Sequence, residues 1–213
     1  MEVEELQFFN PYGDIRHTSN RLPHWQQSGA AYFVTFRLAD AVPANLLSQW
    51  ETEREIWLRL HPELWSRDVE DEYHRRFSSA IERWLDAGHG SCILRKREHG
   101  EFVAKALQHF DGERCIQIAW VIMPNHVHTL FVQNGDWPLE RLVHSWKLFT
   151  ARQINRQTGR SGSLWQRDYF DRLVRGQKHF ANCVRYIRRN PGRARLRPGG
   201  YVLYENDLAR KIE

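Results

Sequence analysis

The sequence predicts an α+β fold, with helices covering an antiparallel sheet. Two observations carry this reading. Segments with strand and helix periodicity follow one another as strand, helices, strand, strand, helix, strand, helix, the order of a mixed sheet-and-helix layer. The 213 residues, 41% hydrophobic and 13% aromatic with nine tryptophans, can fill a core of one domain.

Residues 31–38, Ala-Tyr-Phe-Val-Thr-Phe-Arg-Leu, are β-branched and aromatic and read as a strand. Residues 44–60 and 67–86 carry apolar positions three or four apart and read as helices, with Pro62 in the break between them. Together they form a helical insertion at about 43–99. A further helix, about 101–110, stops at Asp111-Gly112. Strands at 114–122 and 126–132 are joined by Met123-Pro-Asn125, a turn by composition. Pro138 opens a helix over 138–157 whose stripe is Leu139, Leu142, Val143, Trp146, Phe149 and Ile154. Residues 163–174 read as a strand or hairpin arm, and 177–190 as a last helix that Pro191 should end at Asn190. The chain reads as one domain over 1–213, with a C-terminal tail after about 197.

The formal charge is +5, from 31 basic and 26 acidic residues, but it is unevenly spread. Residues 137–213 hold three Lys and 14 Arg against six acids, a formal +11, which leaves −6 for residues 1–136. An Arg-rich last third suits a polyanion, and the acidic insertion should then face away from it. No apolar run approaches the ~20 residues of a membrane helix. The acidic start Met1-Glu-Val-Glu-Glu5 is unlike a secretory signal, and three cysteines at unrelated spacings do not make a disulfide framework. A cytoplasmic protein is expected.

His126-Val127-His128 is the sharpest local signal. Residues two apart on a strand point to one side, so both imidazoles can hold one divalent ion or lie as two surface histidines. On the last helix, Tyr186 and Asn190 lie four apart on a shoulder of the stripe Phe180, Cys183, Val184 and Ile187. Arg185, Arg188, Arg189 and Arg193 surround them. This is either a phosphodiester-handling face or an amphipathic tyrosine on a solvated helix.

Three motifs occur in order: Trp120-Val-Ile-Met-Pro-Asn-His-Val-His128, Leu164-Trp-Gln-Arg-Asp-Tyr-Phe-Asp171 and Tyr186-Ile-Arg-Arg-Asn-Pro191. Together they resemble the REP-associated tyrosine transposases, a branch of the single-tyrosine HUH transposases. The resemblance covers strand 31–38 and about 100–196. It implies a ferredoxin-like sheet with His126 and His128 as metal ligands on a central strand, Asn190 as the third, and Tyr186 as nucleophile. Related insertion-sequence transposases often use Gln at the Asn190 position and a second aromatic where this chain has Arg188, which is assigned no catalytic role. The cofactor would be Mg²⁺ or Mn²⁺, ions that accept an amide oxygen. The substrate would be single-stranded or hairpin palindromic DNA, handled by a monomer or homodimer.

An ordinary tyrosine is only about 0.1% phenolate at neutral pH, so the phosphate must be made more electrophilic. The product would be a 5′-phosphotyrosine and a free 3′-hydroxyl, with the ester conserved for rejoining. Arg185, Arg188, Arg189, Arg193, Arg167, Lys147 and Arg152 are the candidate DNA contacts. Tyr169 is a rival nucleophile, although a strand position beside Phe170 favours a core role. A non-cleaving nucleic-acid-binding module and a His-x-His metallohydrolase are the rival functions.

Overall fold

A computed structural model describes residues 2–19, 23–62, 65–135 and 137–213. Glu63 and Leu64 of the predicted insertion lie outside the described residues. A short hairpin, β1 (Arg16–Ser19) with β2 (Pro23–Gln26), precedes the main sheet. The strands of that sheet are β3 (Ala31–Arg37), β4 (Cys115–Ile122), β5 (His126–Gln133), β6 (Phe170–Leu173) and β7 (Val202–Glu205). They lie in the order β6-β3-β5-β4-β7, and every pair is antiparallel. Without β7, this is the strand order of a ferredoxin-like βαββαβ unit.

Between β3 and β4 run α1 (Ala44–Leu60), α2 (Arg67–Tyr73), a π-helical turn (His74–Ser78), α3 (Ser79–Asp86) and α4 (Arg97–Gln108). The predicted helix 67–86 is thus continuous in sequence but changes pitch in its middle. After β5 come α5 (Leu139–Thr158), α6 (Gln177–Arg193) and the one-turn α7 (Asp207–Arg210). α5 starts after Pro138 and ends at Gly159, whose φ of 64° is the left-handed conformation that suits glycine. Among the described residues no helix is long and apolar enough to cross a membrane.

Side-chain alternation splits β5 between two cores. Val127 and Phe131 face α4 and α5, where Trp146 meets Phe131 edge-on at 5.3 Å. Leu130 and Val132 face the other way, toward Phe180, Val184 and Ile187 of α6 and Leu208 of α7. His126 and His128 share that second face, so a one-residue register slip would bury the pair under α5.

One expectation needs correction. α6 does not stop at Asn190 but runs to Arg193 with Pro191 inside it. In the last turn a proline forfeits one helical N–H, and the helix closes beyond it through Ala194 N–H to Asn190 O and Leu196 N–H to Pro191 O. The segment after 197 supplies β7, which pairs with β4 and caps that edge of the sheet. Of the predicted 163–174 strand, only 170–173 is regular. The earlier part joins the sheet through one bridge, Leu38 to Trp165.

Candidate functional site

The His pair and the tyrosine meet where α6 crosses β5. The Tyr186 ring stands edge-on to His128 at 5.1 Å, and Phe33 of β3 stacks on His128 while presenting its edge to Tyr186, each at 5.6 Å. Asn190, one turn along α6, is 0% exposed, and His126 and His128 are each 1% exposed.

Each histidine is oriented by a neighbour. Asn125 donates its amide nitrogen to the carbonyls of Leu85 and His89, both at 3.2 Å, which fixes its oxygen as the atom facing His126. That oxygen can only accept, so His126 Nδ1, 2.7 Å away, carries the proton and Nε2 keeps its lone pair. His128 Nδ1 lies 2.7 Å from Thr35 Oγ1. The two Nε2 atoms face each other 3.0 Å apart. Burial pushes the His126 pKa down to about 3. It pushes His128 well below its ordinary value too, helped by His126 and Arg193.

Neutral imidazoles with converging Nε2 atoms and anchored Nδ1 atoms are the arrangement a divalent ion needs. Among the described residues no third His, Cys, Asp or Glu joins them. Asn190 supplies a different donor: both its amide oxygen and its nitrogen are buried with no hydrogen-bond partner. A sealed amide without partners is costly unless something binds it, so the chemistry of Asn190 suits an amide-oxygen donor to an ion that also accepts imidazoles.

The surroundings of Tyr186 depart from expectation. The acidic insertion does not face away from the site. Glu82, on α3, and Tyr186 line one pocket, and Asp86 pairs with Arg193 at 3.5 Å. Arg193 also lies over the Tyr186 ring, 5.3 Å from its centroid. The Tyr186 hydroxyl has no partner at hydrogen-bonding geometry. Burial, and then the Glu82 carboxylate, drive its pKa far above that of an ordinary phenol. Burial raises Glu82 as well, against the pull of Arg193 and Arg172.

The predicted DNA contacts divide. Arg188 reaches Glu205 Oε1 at 2.9 Å and the carbonyls of Ala209 and Ile212 at 3.0 and 2.6 Å, clamping the tail to α6. Lys147 donates at 2.7 Å to the carbonyls of both Gln166 and Arg167, with burial lowering its pKa to about 8. Arg185 contacts the Glu213 carbonyl and Asn182 Oδ1. Arg152, Arg167 and Arg189 are exposed. Tyr169 and Trp165 are buried; Trp165 donates to Thr150 Oγ1 at 2.9 Å.

Phe33, Thr35 and Asn125 escaped the sequence reading, although strand alternation and the motif itself carried a signal for them. Glu82 and Asp86 had none, being about a hundred residues from Tyr186. Arg37 is also new. It is 3% exposed, with Nε and Nη1 unpartnered, and pairs in register with His126.

Residues 93–190 match the family described as "Transposase IS200 like". A putative REP-associated tyrosine transposase of Haemophilus influenzae is 34% identical over 84 residues, which cover 35% of this chain and 48% of that protein. The chain thus matches about half the length of this curated relative. A solved REP-associated tyrosine transposase bound to a REP hairpin aligns with a TM-score of 0.42 and 15% identity, over 78% of this chain and 68% of that one.

Proposed function

We propose, on the premise of this likeness to the REP-associated tyrosine transposases, that the protein cleaves and rejoins single-stranded or hairpin DNA through Tyr186. The contact of the Tyr186 ring with His128 carries the reading, because it joins the candidate nucleophile to the candidate ion site. In the reaction the phenol oxygen attacks phosphorus, the bond from phosphorus to the 3′-oxygen breaks, and the phenolic proton ends on the released 3′-hydroxyl. Attack by another 3′-hydroxyl reverses these changes, so no nucleotide cofactor is consumed.

His126, His128 and Asn190 would hold Mg²⁺ or Mn²⁺, which when bound supplies Lewis-acid polarisation of the phosphate. The chain's own residues do the rest. Asn125 and Thr35 hold the imidazoles in register, and Phe33 fixes the angle between His128 and Tyr186. Arg193, over the Tyr186 ring, lends positive charge where phenolate and phosphate negative charge develop.

The test is to incubate labelled hairpin DNA with Mn²⁺ and separate protein under denaturing conditions. A covalent adduct is expected for the wild type and none for Tyr186→Phe. An adduct lost in Tyr169→Phe but kept in Tyr186→Phe would overturn the assignment. Binding without any adduct would favour a non-cleaving module, and hydrolysis that survives Tyr186→Phe a metallohydrolase.

A further inference from the structure

Beside Tyr186 lies a pocket of about 450 Å³. Its walls include Trp65, Tyr73 and Glu82 from the 43–99 segment, Phe33 from β3, Phe170 from β6 and Tyr186 from α6. His126 and His128, by contrast, are shut off from solvent. A DNA strand presenting a phosphate to the tyrosine would therefore place a neighbouring nucleotide in this space. Its volume is in the range of sites that enclose one small organic molecule.

The lining is selective. Aromatic side chains at Trp65, Tyr73 and Phe170 are half-buried rather than sealed, which leaves surface for a planar guest. Arg172 is held in place by His74, Nη2 to Nδ1 at 2.7 Å, and His74 is in turn 3.0 Å from Ser78. Glu82 adds a carboxyl that repels phosphate but accepts hydrogen bonds from an amine. Aromatic walls beside Glu82 suit a nucleobase, and Arg54, Arg172 and Arg175, which also line the pocket, suit the phosphates that flank it.

We infer that this pocket receives one unpaired nucleobase next to the scissile phosphate, and that Glu82 selects bases bearing an exocyclic amine over thymine. The inference rests on the proposed DNA reaction and gives the 43–99 segment a role in it: one wall of a specificity pocket.

The experiment uses Tyr186→Phe protein, so that binding is read without cleavage. Hairpin DNA with randomised single-stranded arms is selected for binding and sequenced. One arm position should be depleted in thymine at least about fivefold, and an abasic residue there should weaken binding about tenfold or more, as loss of one stacked base predicts. Glu82→Gln should erase the discrimination against thymine. Phe170→Leu, which keeps apolar volume but removes the aromatic face, should shrink the abasic effect to under threefold. Arms in which no position matters, or a preference unchanged in both variants, would overturn the pocket assignment. A wild type that forms no tyrosine adduct yet shows the base preference would instead remove the catalytic reading and leave the pocket standing.

Discussion

Arg188→Ala separates a structural arginine from a DNA-binding one. Arg188 bonds one carboxylate and two carbonyls, and its side chain is 32% exposed while that of Glu205 is 16% exposed. A hydrogen bond to a charged group contributes about 1.5–3 kcal/mol. Three such bonds from one guanidinium are not additive, and solvent screens a group one-third exposed. A net loss of about 2–4 kcal/mol remains. For a domain of this size that lowers Tm by roughly 4–16 °C. Differential scanning calorimetry reads the loss directly. Arg188→Lys should recover less than half, because an ammonium cannot span the three acceptors as a planar fork does. The salt dependence of DNA binding supplies the counter-test: losing one phosphate contact on a single strand reduces the log–log slope by about 0.7. The reasoning fails if Arg188→Ala leaves Tm within 1 °C (about the error of the scan) and reduces that slope.

Three further outcomes follow from buried groups. Mn²⁺ at about a hundred times its Kd should raise the wild-type Tm by the equivalent of ~2.7 kcal/mol. Asn190→Leu, which removes two unpartnered polar atoms, should keep or raise its ion-free Tm yet lose most of that gain; an undiminished gain would exclude Asn190 as a ligand. Arg37→Met should stabilise the protein by about 1–3 kcal/mol in urea titrations, because it deletes buried donors without partners and keeps the apolar stem. A loss would mean that the guanidinium has partners in solution. Lys147 titrates near 8 in the fold, below an ordinary lysine, so the unfolded chain binds more protons between about pH 8 and 10.5. Wild-type stability should therefore rise relative to Lys147→Met across that window, and a constant difference would refute the picture of a half-buried, desolvated ammonium.

Elements defined by their own periodicity were legible in the sequence. Strand alternation over 126–132 gave both the strand and the common side of His126 and His128, and the α6 stripe gave the buried face on whose shoulder Asn190 was placed. What depended on partners distant in sequence was not. Nothing in Arg188 or Lys147 distinguishes a cation awaiting phosphate from one bonded to carbonyls of a folded tail or loop. Glu82 and Asp86 read as part of an acidic surface because charge counting has no direction, and only tertiary packing turns α3 toward Tyr186. Pro191 misled for a local reason: its penalty is steep inside a helix and slight in a final turn.

The two carbonyls that hold Asn125 belong to Leu85 and His89, in the segment between β3 and β4. Excising that segment as a dispensable module would release the amide to rotate and offer an N–H where His126 now finds an oxygen. The imidazole would then move its proton to the other nitrogen, the one with which it meets His128. Trimming or swapping these helices is therefore also an edit to the protonation pattern of a strand that they do not contain.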